Sequence, residues 1–203
     1  MFCNILTHHR VFFRCEEEDL YFHFQCGYIF IQHILCQEIV IEETHMRVAV
    51  IGSRAPSTES KKRVVAYLDR MKMNIDMIVT GGAFGMDSVG MVYAVNNKIP
   101  LTVFEPIGYH NTGLCDIYRK LPNCNIVNEG KGFLERNTDI INNCDVVVSG
   151  DFGNGTIDAM TKAVKKGIPV YVFGEYIPGS YVKRIPSGIT FIHHSGIGEI
   201  WNG

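Results

Sequence analysis

The stretch Arg47-Val-Ala-Val-Ile-Gly-Ser-Arg54 decides the fold class, because it joins a buried strand to a loop suited to an anion. Its run Val48–Ile51 has no polar interruption, as expected of a strand that is covered on both faces. Gly52 then allows a close backbone approach, and Ser53 and Arg54 can donate hydrogen bonds to a phosphate group. In open parallel sheets, ligands bind at this carboxyl end of the strands.

The rest of residues 46–203 repeats this alternation of strand and helix. Short apolar runs predict further strands, and apolar residues at helical spacing predict helices between them. The predicted strands cover 47–52, 76–80, 100–104, 125–127, 145–149, 170–173 and 190–194, and the predicted helices cover 59–72, 87–97, 133–143 and 155–166. This alternation implies right-handed crossovers, and therefore a three-layer, Rossmann-like, doubly wound α/β fold with a mainly parallel sheet.

Four polar or glycine-rich elements would meet at the carboxyl edge of this sheet. The segment Gly81–Asp87 turns from a strand into a helix, and its small residues can cradle an anion against the helix start. Arg136 and Asn137 lie near another helix start, and Thr156 offers a hydroxyl in a first helical turn. The candidate nucleotide- or phosphate-binding residues are Gly52, Ser53, Arg54, Gly81, Gly82, Gly85, Asp87, Arg136, Asn137, Gly153, Asn154, Gly155 and Thr156.

These four elements together predict a phosphate-bearing ligand, although each of them alone is a weak signal. No Gly-x-Gly-x-x-Gly follows the first strand, so dinucleotide binding of the dehydrogenase type is disfavoured. No Gly-Lys-Ser or Gly-Lys-Thr follows a glycine loop, which excludes a Walker-type nucleotidase. The sequence predicts neither a resident cofactor nor a metal site.

Residues 1–45 differ in composition from residues 46–203. They contain no Ala, Ser, Pro or Lys and only one Gly, yet they hold four of the seven Cys and five of the eight His. Two Arg against seven acidic residues give this segment a charge of −5, whereas 17 basic and 14 acidic residues give the remainder +3. We expect an atypical N-terminal extension, either translated upstream of a true start at Met46 or packed on the core or a second subunit.

A zinc appendage is the alternative interpretation of the extension. His23-x-x-Cys26 and His33-x-x-Cys36 repeat a potential ligand pair, and structural zinc takes Cys and His in fours. No Cys-x-x-Cys is present, which disfavours this alternative.

The remaining cysteines and the hydropathy predict a cytoplasmic protein. Cys115, Cys124 and Cys144 have no disulfide-like spacing and are interpreted as reduced thiols. The apolar stretch Leu20–Ile41 is interrupted by several polar residues, which argues against a membrane span.

The core resembles the SLOG superfamily, which includes the Rossmann-like domain of the DNA-processing protein DprA (Smf) and the LOG-type "lysine decarboxylase-like" phosphoribohydrolases. The resemblance covers about residues 46–175 and implies a nucleotide pocket, usually in a homodimer. The motifs that carry it are Val50-Ile-Gly-Ser-Arg54, Gly81-Gly-Ala-Phe-Gly-Met-Asp87, Arg136-Asn137, Cys144-Asp-Val-Val-Val-Ser149 and Gly153-Asn-Gly-Thr156.

Three functions follow from this resemblance. The main hypothesis is binding of a nucleotide or nucleotide-derived small molecule, as a sensor, carrier or processing protein. The enzymatic alternative is hydrolysis of the N-glycosidic bond of a nucleoside 5′-monophosphate, with Asp158 and Arg136 as candidate catalytic residues. LOG enzymes carry a catalytic Glu that falls at Ala159 here, and Asp158 lies one residue earlier, about 100° around the helix. The third hypothesis is DprA-like binding of single-stranded DNA.

Overall fold

A computed structural model of the chain describes residues 45–108, 111–193 and 198–201. The N-terminal extension, with the alternative zinc ligands proposed for it, lies outside the described residues apart from His45. The division of the chain into residues 1–45 and 46–203 therefore stays a prediction.

Eight strands of the described part form one sheet. They are β1 (Met46–Gly52), β2 (Ile75–Thr80), β3 (Leu101–Phe104), β4 (Cys124–Val127), β5 (Val146–Gly150), β6 (Val170–Phe173), β7 (Ile189–Ile192) and β8 (Gly198–Trp201). Their order is β4-β3-β2-β1-β5-β6-β7-β8. Strands β1 to β7 are parallel, and β8 pairs antiparallel with β7.

Helices cover both faces of this sheet. They are α1 (Thr58–Arg70), α2 (Met86–Asn96), α3 (Thr112–Tyr118), α4 (Phe133–Asn142), α5 (Asn154–Lys165) and α6 (Gly179–Val182). Leu68 of α1 and Met91 of α2 belong to one apolar cluster, whereas Ile140 of α4 and Met160 of α5 belong to the other. The predicted three-layer, doubly wound, mainly parallel fold is thus confirmed. In the described part of the chain, no helix is long and apolar enough to cross a membrane.

The strand order reverses between β1 and β5, and this reversal positions the site. Strand β1 pairs with β2 on one side and with β5 on the other, so the chain leaves these two central strands in opposite directions. Gly52 and Gly150, the last residues of β1 and β5, are register partners. The loops that follow them diverge and leave a crevice, as expected at a topological switch point.

Polar contacts fix the start of α1 against the end of β5. Ser57 is the N-cap of α1, and its hydroxyl accepts a hydrogen bond from the amide of Ser60 at 3.1 Å. Asp151 accepts hydrogen bonds from the Ser57 amide at 2.7 Å and the Ser60 hydroxyl at 2.8 Å. Asp151 adopts a φ of 56°, a conformation that Asp tolerates better than most residues. These contacts hold the loop between β1 and α1 at the edge of the crevice.

Candidate phosphate-binding site

A cavity of about 880 Å³ lies at the switch point, between the loops that follow β1 and β5. Its wall contains three of the four predicted elements in full, two residues of the fourth and the candidate catalytic residue Asp158. These residues are Gly52, Ser53, Arg54, Ala83, Asp87, Arg136, Asn137, Gly153, Asn154, Gly155, Thr156 and Asp158. The structure therefore gathers side chains from distant parts of the chain, because parallel strands place their carboxyl ends at one edge.

The N-terminus of α5 forms one wall of the cavity. Its N-cap residue is Gly153, which provides no side-chain cap, and the first hydrogen bond of the helix joins the Ile157 amide to the Gly153 carbonyl at 2.9 Å. The first-turn amides of Asn154, Gly155 and Thr156 therefore have no partner within the helix. Together with the helix dipole, these amides form a site that favours an anion.

Arg136 brings a buried positive charge to the same cavity. It lies in the first turn of α4 and is only 6% exposed. Its Nε atom has no hydrogen-bond partner among the described residues, and its Nη1 atom is 3.5 Å from the Asp87 carboxylate. Burial lowers the pKa of Arg136, and nearby Arg54 lowers it further, whereas Asp87 raises it. An anion in the cavity would compensate for the hydration that this guanidinium has lost.

Asp87 positions Arg136. Burial raises the pKa of Asp87, and this effect is opposed by Arg136 and by the amide of Ala83, which donates to the carboxylate at 3.1 Å. The carboxylate is thus held between a loop amide and a guanidinium. Since a carboxylate repels phosphate, the contact with Arg136 gives Asp87 an indirect role at the site.

Gly81, Gly82 and Gly85 are not among the residues that line the cavity, so their predicted contact with phosphate stays a prediction. A Cβ atom on Gly81 would lie 1.0 Å from Arg136 Nη1, so this glycine makes room for the guanidinium. Gly85 has a φ of 87°, and a Cβ atom there would lie 2.3 Å from the Ser53 carbonyl oxygen. The amide of Met86 donates to that same carbonyl at 3.0 Å. The segment Gly81–Asp87 therefore packs against the loop that follows β1 and supports it.

Asp158 lies in the wall with one carboxylate oxygen already engaged. Its Oδ2 atom accepts hydrogen bonds from Asn137 Nδ2 at 2.9 Å and from Lys162 Nζ at 2.7 Å. Asn137 also donates to the Gly155 carbonyl at 3.0 Å, which ties α4 to the first turn of α5. Ala159, where LOG enzymes have their catalytic Glu, is 1% exposed. The catalytic roles of Asp158 and Arg136 stay a prediction.

Several wall residues were not found from the sequence, and four of them have aromatic or charged side chains. The Phe133 ring lies near two cations, with its centroid 5.0 Å from Arg54 Cζ and 5.9 Å from Arg136 Cζ. Phe133 lies three residues before Arg136, and residues at this spacing are neighbours on the surface of a helix. The sequence could therefore have indicated that Phe133 lies beside Arg136. Phe152, Tyr181 and Arg184 also line the cavity. The last two come from the chain after β6, where no sequence pattern points to the site.

A doubly wound sheet with a cationic cavity at its switch point defines a Rossmann-like α/β protein. Among the described residues, no group of three or more His, Cys, Asp or Glu could hold a metal ion. The family model of DNA recombination-mediator protein A matches residues 36–128 of the chain. The resemblance to the SLOG superfamily and its DprA-like members is therefore confirmed. No protein among those with curated descriptions matches the sequence.

Similar solved structures have the same fold. DNA processing protein A from Helicobacter pylori, described for its single-stranded DNA binding mode, superposes with a TM-score of 0.56 at 23% identity over 71% of this chain and 75% of its own. DprA from Streptococcus pneumoniae superposes with a TM-score of 0.53 at 20% identity over 70% of this chain. The aligned part spans only 55% of that protein. The molybdenum cofactor binding protein from Rippkaea orientalis gives 0.50 at 16% identity, over 65% of this chain and 78% of its own. At these identities the likeness establishes the fold alone.

Proposed function

We propose that this chain binds single-stranded DNA and seats a backbone phosphate in the cavity at the switch point. The observation that carries the proposal is Arg136, a buried guanidinium in the cavity wall with a long contact to one carboxylate. The family match to DNA recombination-mediator protein A and the single-stranded DNA described for the H. pylori protein favour a strand of DNA as the source of the phosphate.

The wall offers both kinds of contact that a single strand needs. The uncapped amides of α5 and the guanidinium of Arg136 suit a phosphate, and Arg54 adds a second guanidinium at the rim. Phe133 and Tyr181 add aromatic surfaces, on which bases of any sequence can stack. A phosphate cradle beside aromatic rings therefore predicts binding that depends little on base sequence.

The test is fluorescence anisotropy with labelled oligothymidylate, repeated across a range of salt concentrations. We expect affinity to fall with salt, with a logarithmic slope of about −0.7 for each phosphate neutralised. Arg54→Gln and Arg136→Gln should each weaken binding by about tenfold or more. Arg70→Gln removes the same charge from an exposed residue at the end of α1, outside the cavity wall, and is the matched control.

Absence of binding by the wild-type chain at low salt would refute the proposal. Equal losses in all three variants would also count against it, because the effect would then reflect net charge alone. Since Arg136→Gln leaves Asp87 without its cation, circular dichroism should verify that this variant is folded. Arg54→Gln keeps the test valid if Arg136→Gln unfolds, because Arg54 is exposed.

A nucleotide-derived small molecule is the second candidate ligand, favoured by the size of the cavity. Its volume of about 880 Å³ falls in the range of ligand pockets, roughly 300–1,000 Å³. Titration with thymidine 5′-monophosphate and with oligothymidylates of increasing length separates the two candidates. Affinity that rises with length supports DNA, whereas mononucleotide binding as tight as that of the longest strand supports a small ligand.

We also propose a homodimer in the cytoplasm. The free cysteines Cys115, Cys124 and Cys144 support a reducing compartment, and the homodimer rests on the SLOG resemblance. Native mass spectrometry of the purified chain would show a dimer, whereas a monomer at micromolar concentration would refute that part of the proposal.

A further inference from the structure

The chain after β6 contributes a third arginine to the cavity. Helix α6 and the residues that follow it place Tyr181 and Arg184 in the wall, beside the first turn of α5. Arg184 Nη1 donates a hydrogen bond to Asn154 Oδ1 at 2.9 Å. Asn154 is the first residue of α5, so Arg184 lies at the entrance to the uncapped helix end.

The backbone around Arg184 is held on both sides, although its side chain is exposed. The amide of Arg184 donates to the Tyr181 carbonyl at 2.7 Å, and the guanidinium carbon lies 5.7 Å from the Tyr181 ring centroid. The Tyr181 ring itself lies 6.4 Å from the Phe152 ring, in the cavity wall. Ile185 is 6% exposed and belongs to the apolar cluster beneath the site. Arg184 is therefore fixed at the mouth of the cavity by its neighbours.

The charge of Arg184 is not neutralised within the described part of the chain. Its hydrogen-bond acceptor is the neutral amide of Asn154, and no carboxylate of the described residues forms an ion pair with it. Asp158, the nearest wall carboxylate along α5, is instead paired with Lys162. An exposed arginine without an anionic partner, held beside a helix N-terminus, is suited to bind a phosphate.

We infer that Arg184 contacts a second phosphate of the bound strand, next to the phosphate held by Arg136 and the first turn of α5. The inference rests on the proposed function. Arg136 is buried and Arg184 is exposed, so the two guanidiniums lie at different depths of a cavity that is larger than one phosphate needs. Arg184 thus extends the site from a single phosphate to two consecutive backbone phosphates.

Three variants of the full-length chain test this contact by anisotropy with oligothymidylate. Arg184→Gln should weaken binding by about tenfold and make the salt slope shallower by about 0.7, the value for one lost phosphate contact. Arg184→Lys should restore the salt slope of the wild-type chain, because lysine restores the positive charge. The affinity should recover only in part. Lys183→Gln removes one charge from the adjacent exposed residue, which is not in the wall, and should leave the slope unchanged.

Other results would overturn the inference. If Arg184→Gln and Lys183→Gln change affinity and slope equally, Arg184 acts only through net charge. If Arg184→Gln binds like wild type while Arg54→Gln is impaired, the proposed function stands and the second phosphate contact is refuted. If the wild-type chain fails to bind DNA at low salt, the proposed function fails, and the inference fails with it.

Discussion

At the scale of single residues, the site depends on the missing side chain of Gly81. The Arg136 guanidinium occupies the place where a Cβ atom of residue 81 would lie, and that atom would also be 2.8 Å from Asp87 Oδ2. Gly81→Ala should therefore displace the guanidinium from Asp87. We expect the variant to bind oligothymidylate about tenfold more weakly or worse, measured by anisotropy at fixed salt.

Gly90→Ala is the control for this prediction, because it crowds the core without touching the cavity. A Cβ atom there would lie 2.7 Å from Val50 Cβ, at the contact between α2 and β1. We expect a loss of about 1–3 kcal/mol in the free energy of unfolding, measured with urea, and unchanged affinity of the folded protein. Wild-type affinity in Gly81→Ala would show that the position of the Arg136 guanidinium does not matter for binding.

At the scale of elements, an ion pair joins the start of β1 to the start of β5. Asp145 accepts three hydrogen bonds from Arg47, from the amide at 2.8 Å, from Nε at 3.1 Å and from Nη2 at 2.7 Å. Arg47 lowers the pKa of Asp145 below its usual value of 3.8. The stabilisation is therefore present above pH 3.8 and is lost as the pH falls through the lower pKa of the folded state.

Asp145→Asn should consequently destabilise the protein in a pH-dependent way. Both side chains are nearly half exposed, so the loss at neutral pH should be about 1 kcal/mol or less in the free energy of unfolding. The difference from wild type, measured by urea unfolding, should narrow as the pH is lowered. Asp116→Asn, in a more exposed pair with Arg119, should change stability less. If the difference in free energy of unfolding between Asp145→Asn and wild type grew towards acid pH, it would contradict the stabilising role of the ion pair with Arg47.

The elements also show what sequence patterns can and cannot predict. Strands β1 to β7 and the long helices were predicted to within a few residues, because buried runs and helical spacing are local signals. The short elements α3, α6 and β8 were not predicted, since a periodic pattern needs about eleven residues to be recognised. Arg184 was missed for that reason, whereas Arg136 and Thr156 lie near the starts of long, regular helices.

At the scale of the whole molecule, the cavity could be predicted because the parallel sheet fixes where distant loops meet. Gly52 and Gly153 are far apart in sequence, yet the register of β1 with β5 places both at one edge. The contacts that support this edge could not be predicted from the sequence. Gly81 meets Arg136, and Gly85 meets Ser53, only because separate elements pack against each other. Spacing alone cannot show which glycines face a ligand and which face another loop.

The same organisation predicts that residues 46–203 fold and bind DNA without the extension. Among the described residues, those of both apolar clusters and of the cavity wall lie within this fragment. Truncation before Met46 removes the contact between His45 and Asp76, whose side chains are 51% and 53% exposed, and the loss of this contact should cost little stability. We expect one cooperative urea transition and the same oligothymidylate affinity as the full-length chain. A fragment that fails to fold, or that folds and binds at least tenfold more weakly, would show that residues 1–45 belong to the functional unit.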